Sequence, residues 1–140
     1  MTDPTLPDYR LEDQIGFKLR LANQRHLEIF ARLMPEVTPT QFAVLAKLRE
    51  SGPASQNRLG RLVAMDAATT KGVIDRLKAK GFVAARPSAT DRRRTEISLT
   101  EAGAAFADRA TAVAAAITRE TLARLPARDA ARLCALLDRL

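Results

Sequence analysis

Cysteine, histidine and aromatic residues are scarce in this sequence. It has one cysteine (Cys134), one histidine (His26), no tryptophan and only 4% aromatic residues. A single cysteine excludes an internal disulfide and a cysteine-based zinc cluster, and a single histidine excludes a histidine-rich metal site. Few aromatic rings argue against the stacking surfaces with which RRM and OB-fold proteins hold single-stranded nucleic acid. We therefore expect neither a metal nor a cofactor.

The sequence also lacks the groups from which a catalytic site is assembled. Cys134 and His26 are more than a hundred residues apart, and there is no glycine-rich phosphate loop. We predict that the chain is not an enzyme. No apolar run approaches the length of a membrane span, and the polar, proline-containing N-terminus is not typical of a signal peptide. We expect no membrane contact and a cytoplasmic location.

Positive charge is in excess, and the excess is confined to one segment. Of the 140 residues 46% are hydrophobic, enough for one domain with a core, and the net charge is +7. Residues 55–94 contain ten basic and three acidic residues, so this segment carries the whole excess, whereas the rest of the chain is neutral. A charge excess concentrated in this way is typical of a protein that binds a polyanion.

Apolar spacing and capping residues predict helices in the first half of the chain. Residues 1–8 are expected to form a flexible arm, and the apolar residues from Leu11 onward predict a long amphipathic helix that ends before Pro35. Five further features predict the next three helices: a capping box at Thr38 to Gln41, a stop at Gly52-Pro53, N-caps at Ser55 and Asp66, and Gly81 at the end of the third helix. In the short helix after Ser55, which is predicted to run through Val63, Leu59 and Leu62 are expected to face inward.

The pattern then changes to that of a hairpin. Residues 82–86 and 95–99 have strand character and flank a polar turn. Thr100 is expected to cap a long alanine-rich helix, and a last helix opens at Pro126. The predicted fold is thus mainly α with a small β-hairpin wing. A single domain of residues 9–140 would contain a winged helix-turn-helix lobe (38–100) and long terminal dimerisation helices (9–34 and 101–140).

The helix after Asp66 is predicted to be a DNA-recognition helix. A helix that reads the major groove needs small or hydrogen-bonding residues on one face and apolar residues behind it. Val73, Ile74 and Leu77 supply the apolar side. Gly72 is unusual inside a helix, and close approach to DNA or close packing against the preceding helix would each explain it. The predicted DNA contacts of the helix-turn-helix are Gln56, Asn57, Arg58, Ala67, Ala68, Thr69, Lys71 and Arg76.

The hairpin tip is predicted to contact the minor groove. It carries three consecutive arginines, Arg92, Arg93 and Arg94, and guanidinium groups on a narrow turn suit a groove of concentrated negative potential. Asp91 lies two residues before Arg93 and is placed to hold it in one orientation. All four residues are candidate DNA-binding residues.

Two strings resemble the MarR family of transcriptional regulators. Asp91-x-Arg93-x5-Leu99-Thr100-x2-Gly103 is similar to the family's wing signature, and Asp75-Arg76-Leu77-x3-Gly81-Phe82-Val83 is similar to the end of its recognition helix. The resemblance covers about residues 9–140.

The resemblance implies a homodimer that grips a palindromic operator in double-stranded DNA, most often as a repressor. It also implies that Arg93 enters the minor groove and that Thr69, Thr70 and Lys71 lie at the major groove. Many relatives carry hydroxyl residues where this chain has Ala67-Ala68, so contacts there are expected to be apolar, for example to a thymine methyl group. The broad apolar surfaces of the first and last helices independently favour a two-fold dimer.

The resemblance further implies a small aromatic acid effector, bound between the dimer helices and the winged lobe. His26, Arg20, Asn23 and Arg25 are the candidate ligand residues, with an arginine pairing the carboxylate. For His26 a purely structural role is the alternative. The first helix is similar to that of the branch controlling breakdown of aromatic or nicotinate-like acids.

Three other interpretations remain open. A non-specific architectural DNA-binding protein would share the charge distribution. A winged domain that serves only protein contacts would share the fold. A redox-sensing regulator would use Cys134, although this residue is expected to be buried among leucines of the last helix, where its thiol would be unreactive.

Overall fold

The computed structural model describes residues 8–140, and within them it is mainly helical with one small hairpin. The predicted fold class is confirmed. The predicted arm lies almost entirely outside the described residues. The elements are a 3-10 turn (Leu11–Asp13), α1 (Ile15–Leu33), α2 (Pro39–Ser51), α3 (Gln56–Leu62), α4 (Ala67–Ala79), β1 (Val83–Pro87), β2 (Thr95–Leu99), α5 (Glu101–Thr121) and α6 (Ala127–Leu137).

The first helix begins later than its apolar spacing predicts. Gln14 has extended backbone angles (φ −82°, ψ 141°) and separates the 3-10 turn from α1. Its side-chain amide donates to the carbonyl of Arg10 at 2.9 Å. The helix ends where predicted, because the Met34 amide makes the last backbone bond, to Phe30, and Pro35 follows.

Each helix of the central lobe begins at its predicted cap. The Thr38 hydroxyl accepts from the Gln41 amide, and the Gln41 side chain accepts from the Thr38 amide, both at 3.2 Å. Ser55 caps α3, and the Asp66 carboxylate accepts from the Thr69 amide at 2.7 Å. These bonds satisfy amides that a helix start otherwise leaves unpaired.

The core of this lobe is apolar and closed. Its fully buried members include Val44 and Leu45 of α2, Leu59 of α3, and Ile74 and Leu77 of α4. The predicted inward orientation of Leu62 is wrong, since its side chain is 38% exposed. α3 has only seven residues, and only Leu59 and Gly60 of them are buried.

The wing is attached to the helices by an isolated β-bridge. β1 and β2 pair antiparallel, with Val83 opposite Leu99 and Pro87 opposite Thr95, so β1 begins one residue later than predicted. Ala54, between α2 and α3, exchanges both backbone hydrogen bonds with Ile97, at 3.1 and 2.8 Å. The bridge ties the hairpin to the helix-turn-helix.

The junction between wing and α5 explains the Leu-Thr-x2-Gly part of the signature. The Thr100 hydroxyl donates to the Gly81 carbonyl at 2.6 Å and accepts from the Gly103 amide at 3.0 Å. A Cβ on Gly103 would lie 1.8 Å from the carbonyl oxygen of Phe82. Only glycine therefore lets α5 start this close to the wing.

The remaining helices differ in how well they are covered. α5 packs against α1 and α2, whereas α6 has no buried residue. No helix among residues 8–140 is long and apolar enough to cross a membrane.

Candidate DNA-binding surface and effector cleft

The outer face of α4 presents small and basic side chains. Ala67, Ala68, Thr69, Lys71 and Arg76 are all exposed. Val73, Ile74 and Leu77 face the core on the other side, as predicted. The helix therefore has the two-sided character that a groove-reading helix requires.

Thr70 does not belong to that outer face, and its prediction as a DNA contact has to be corrected. Its side chain is 1% exposed, and its hydroxyl donates to the Asp66 carbonyl at 2.7 Å. A Cβ on Gly60 would lie 2.8 Å from the Thr70 hydroxyl oxygen. Thr70 thus packs α4 against α3 at the point where Gly60 lets them meet.

Gly72 makes no such contact. Apart from its chain neighbours and the backbone of its own helix, a Cβ at Gly72 would have only a terminal nitrogen of Arg76 within 4 Å, at 3.4 Å. Close packing against the preceding helix therefore does not explain this glycine. Gly72 lies on the outward side of α4. Of the two explanations considered from the sequence, close approach to DNA is the one that remains.

The start of α3 lies next to the start of α4. Gln56 is half-buried, whereas Asn57 and Arg58 are exposed. A shallow depression of about 230 Å3 joins the two helices and is lined by residues of both, among them Gln56, Asn57 and Ala67. Gln56 and Asn57 of α3 therefore lie beside Ala67 of α4.

The wing tip holds its arginines around one carboxylate. Asp91 accepts from the Arg93 backbone amide at 3.1 Å and from the Arg93 guanidinium Nε at 3.3 Å, so the predicted contact is present. The Arg94 Nε lies 3.8 Å from the same carboxylate. Arg92 is exposed and makes no ion pair within the described residues. The side chains of Arg93 and Arg94 are 92% and 82% exposed, so both remain able to reach a ligand.

A small cleft lies between α1, α2 and α5. It has a volume of about 180 Å3, and it is lined by His26, Phe30, Pro39, Phe42, Ala114, Ile117 and Thr118. His26 Nδ1 lies 3.0 Å from the Thr121 hydroxyl, which orients the ring. The cleft is thus mostly apolar, with an imidazole and a hydroxyl at its edge.

The other candidate ligand residues are placed differently from one another. Arg25 is half-buried and donates to the Glu120 carbonyl at 3.0 Å, beside the His26–Thr121 contact. Arg20 and Asn23 are exposed, and none of Arg20, Asn23 and Arg25 lines the cleft of this chain. The Arg20 guanidinium instead lies over the Phe17 ring, 5.7 Å from its centre.

A larger and more open groove runs along the end of α1. It has a volume of about 610 Å3, an apolar floor that includes Phe30, Met34 and Val37, and Lys80 on its rim. The Lys80 ammonium donates to the Glu36 carbonyl at 2.9 Å. Sequence reasoning missed this groove, because its walls come from segments that are distant along the chain.

The expected burial of Cys134 is wrong for the single chain. Its thiol is exposed, as are Leu133, Leu136 and Leu137 beside it on α6. The argument that burial makes the thiol unreactive therefore lacks support in the isolated chain. Among residues 8–140 no group of three or more histidine, cysteine or acidic side chains could hold a metal ion.

Comparison with known proteins agrees with the sequence resemblance. The sequence profile of the MarR family matches residues 37–95. The HTH-type transcriptional repressor NicR of Pseudomonas putida is 43% identical over 102 residues, which cover 71% of this chain and 65% of NicR, just under two thirds of its length.

Solved structures extend the similarity to nearly the whole chain. A probable transcriptional regulator from Pseudomonas aeruginosa is 47% identical with a TM-score of 0.86, covering 93% of this chain and 98% of that one. BpsR of Bordetella bronchiseptica, whose DNA binding is regulated by 6-hydroxynicotinic acid, is 35% identical with a TM-score of 0.88. The match covers 95% of this chain and 96% of BpsR. These relatives are regulators and not enzymes, in agreement with the prediction. The winged helix-turn-helix, its wing signature and these similarities together establish that the chain belongs to the MarR family of transcriptional regulators.

Proposed function

We propose that the protein is a homodimeric repressor that binds a palindromic operator in double-stranded DNA and is released by a small aromatic acid. One observation carries the DNA-binding part. The exposed outer face of α4 and the wing tip, both within the segment that holds all the excess positive charge, carry Lys71, Arg76 and Arg92 to Arg94. Two cationic projections on one lobe suit simultaneous contact with two grooves.

Roles follow for the individual residues. Thr69, Lys71 and Arg76 contact the major groove beside the small side chains of Ala67 and Ala68. Gln56, Asn57 and Arg58 contact the adjacent backbone, and Arg93, held by Asp91, enters the minor groove with Arg92 and Arg94 beside it. An arginine already oriented by a carboxylate loses less side-chain freedom on binding than a mobile one.

The uncovered leucines support the dimer. On α6 and the segment before it Leu125, Leu133, Leu136 and Leu137 are 39–46% exposed, and Leu11, Ile15, Leu19 and Leu21 near the N-terminus are 42–61% exposed. An apolar surface of this extent on helices outside the winged lobe is typical of an interface. We assign residues 9–34 and 101–140 to dimerisation and residues 38–100 to DNA reading. Two-fold symmetry then places two half-sites about 10 bp apart.

The size of the cleft supports an effector with one aromatic ring. An apolar protein cavity of about 150 Å3 holds a benzene molecule, and the cleft at His26 measures about 180 Å3. His26 would bond a ring substituent, and Arg25 would exchange its bond to the Glu120 carbonyl for one to the effector carboxylate. The similarity to BpsR and NicR favours a nicotinate-like acid. Arg20 and Asn23 would take part only by reaching the cleft of the partner or after a movement of α1.

His26→Ala should blunt release by the effector while leaving DNA binding in its absence within about twofold of the wild type. The reason is that His26 lines the cleft and does not lie in the cationic segment. Fluorescence anisotropy of a labelled duplex, titrated with 6-hydroxynicotinic acid or nicotinic acid, measures the release. His26→Gln, which keeps a hydrogen-bonding group, is the matched variant. An unaltered release curve in both variants would assign His26 a structural role.

The central experiment is selection of a duplex from a random library, followed by nuclease footprinting. A footprint with two-fold symmetry and an affinity that falls steeply with salt is the expected result. Equal binding to all duplexes would instead indicate an architectural protein, and no salt-sensitive binding would indicate a domain for protein contacts. Loss of binding after mild oxidation that a Cys134→Ser variant resists would favour the redox alternative.

A further inference from the structure

The cationic segment contains three carboxylates, and two of them have clear structural tasks. Asp66 caps α4 through the Thr69 amide, and Asp91 orients Arg93 and Arg94. The third, Asp75, is 50% exposed on α4, where its carboxylate accepts a hydrogen bond from the Lys71 ammonium at 2.7 Å. This contact holds the pKa of Asp75 below its ordinary value.

Asp75 occupies the middle of the outer face of α4. Helical spacing of four, three and four residues aligns Ala68, Gly72, Asp75 and Ala79 in one stripe, opposite the buried side of the helix. The other three members of the stripe have a methyl group or no side chain. The carboxylate is therefore the only charged group at the centre of the surface that would face a polyanion.

Helix stability does not account for this carboxylate. A lysine that precedes its acidic partner by four residues is the weaker of the two orientations, because both charges then oppose the helix dipole. The pair is also well exposed, with 67% of the Lys71 side chain and 50% of the Asp75 side chain accessible, and exposed pairs stabilise little.

We propose that Asp75 is a specificity-determining residue, which restrains Lys71 on non-specific DNA and releases it on the operator. This inference rests on the proposed function. On an arbitrary DNA sequence the Asp75 carboxylate meets no base donor and stays paired with Lys71. Lys71 then makes no contact with a phosphate. On the operator a base amine, such as cytosine N4, donates to the carboxylate, and Lys71 becomes able to bind a phosphate. Asp75 thus lowers non-specific affinity more than operator affinity.

The test compares two duplexes: the one that the wild-type protein selects from a random library and a scrambled duplex of the same composition. With Asp75→Asn, affinity for the scrambled duplex should rise roughly fivefold near physiological salt, and its log–log salt dependence should steepen by about 0.9, as for one added phosphate contact. Affinity for the selected duplex should stay level or fall, so the ratio of the two affinities drops at least fivefold.

Two further variants make the result specific. Asp108 of α5 pairs with Arg49 of α2 at 2.8 Å, away from the surface formed by α4 and the wing. Asp108→Asn therefore also removes one carboxylate and frees one cation. It should leave the ratio unchanged. In a Lys71→Met background, Asp75→Asn should no longer steepen the salt dependence, because the lysine that it would release is absent.

Three results would overturn the inference. They are an unchanged affinity ratio in Asp75→Asn, an equal rise on both duplexes, and an equal effect of Asp108→Asn. If the wild-type protein itself selects no duplex over the scrambled one, the proposed function fails first and the inference fails with it. Thermal melting followed by circular dichroism confirms that each variant is folded.

Discussion

Individual carboxylates organise much of the charged surface of this protein. Asp91 binds both the backbone and the side chain of Arg93, so the wing presents a guanidinium with a defined direction. Asp66 satisfies an amide at the start of α4, next to the proposed DNA-facing residues. Small acidic residues thereby orient side chains on a surface that we propose binds DNA through its cations.

Arg93→Ala should weaken binding to the selected duplex at least tenfold, because it removes the anchored guanidinium. Arg92→Ala removes the same charge but no contact with Asp91, and we expect a smaller loss. Anisotropy titrations at one salt concentration compare them, and gel filtration checks that the oligomer is intact. Equal losses in the two variants would contradict a special role for the anchored arginine.

Asp66→Asn should change how stability depends on pH. The hydrogen bond from the Thr69 amide holds the pKa of the Asp66 carboxyl below its ordinary value, so the charged form is favoured in the folded protein. The stability that this charge contributes is present above the unfolded pKa and is lost as pH falls through the lower folded pKa. Asparagine caps a helix about as well and does not titrate there.

The two proteins should therefore have similar melting temperatures near pH 7. Below pH 3.8 the wild type should lose more stability than the variant. Asp66→Ala, which has no cap, should melt at a lower temperature than both at pH 7. If the melting temperatures of the wild type and Asp66→Asn fell equally as the pH was lowered, the stabilising effect of the cap would not depend on its charge.

Among the secondary-structure elements, the wing depends on contacts from both of its neighbours. Ala54 supplies a backbone bridge on one side, and the start of α5 packs against Phe82 on the other. The Phe82 and Phe106 rings stack with centres 4.8 Å apart and fill the same junction. The hairpin is thereby held by the body of the lobe and does not rely on its own two strands.

Gly103→Ala should lower the free energy of unfolding by about 2–3 kcal/mol, because the new methyl group would overlap the Phe82 carbonyl and force α5 away from the wing. Urea denaturation measures the change. Gly72→Ala is the matched control, because a methyl group there meets only the movable end of Arg76. That variant should raise the free energy of unfolding by up to about 1 kcal/mol, as expected for glycine to alanine inside a helix.

The same two variants distinguish a glycine needed for helix packing from a glycine needed for close approach to DNA. If Gly72 is required for the backbone to come close to the bases, the more stable alanine variant should bind the selected duplex less tightly. A Gly72→Ala protein that is both more stable and equally tight in DNA binding would contradict that requirement. A Gly103→Ala protein as stable as the wild type would contradict the assigned packing role.

In the whole molecule, one lobe with a closed core is joined to helices whose apolar faces are uncovered. Leu133, Leu136 and Leu137 of α6 are each about two-fifths exposed, and the start of α1 is similar. Burial of such side chains against a second copy removes apolar surface from water, which is the main driving force of association.

Leu136→Asp combined with Leu137→Asp should convert the proposed dimer to a monomer in analytical ultracentrifugation, because two charges would be buried without partners. Affinity for the selected duplex should then fall at least tenfold, since one lobe contacts only one half-site. Leu62→Asp is the control for oligomeric state, since Leu62 is 38% exposed but belongs to the winged lobe. A double variant that remains dimeric would place the interface elsewhere.

Local sequence was sufficient to predict the helix caps, Gly81 at the end of α4, the hairpin and the concentration of charge. Thr38 and Gln41, or Asp91 and Arg93, are two or three residues apart, so backbone geometry alone brings them into contact. The wing signature could also be recognised from local sequence. The need for glycine at position 103 became clear only from the structure, in which Gly103 lies against the Phe82 carbonyl.

Contacts between residues far apart in the chain depended on the tertiary structure. His26 meets Thr121 across 95 residues, and Ala54 meets Ile97, yet none of these residues marks its partner in the sequence. Thr70 was expected at the major groove from the resemblance to the MarR family, whereas in the structure α4 packs against α3 and buries its side chain. Periodicity predicts that a helix has two sides, but the neighbouring elements determine which side chains are buried, because burial is a property of the assembled surfaces.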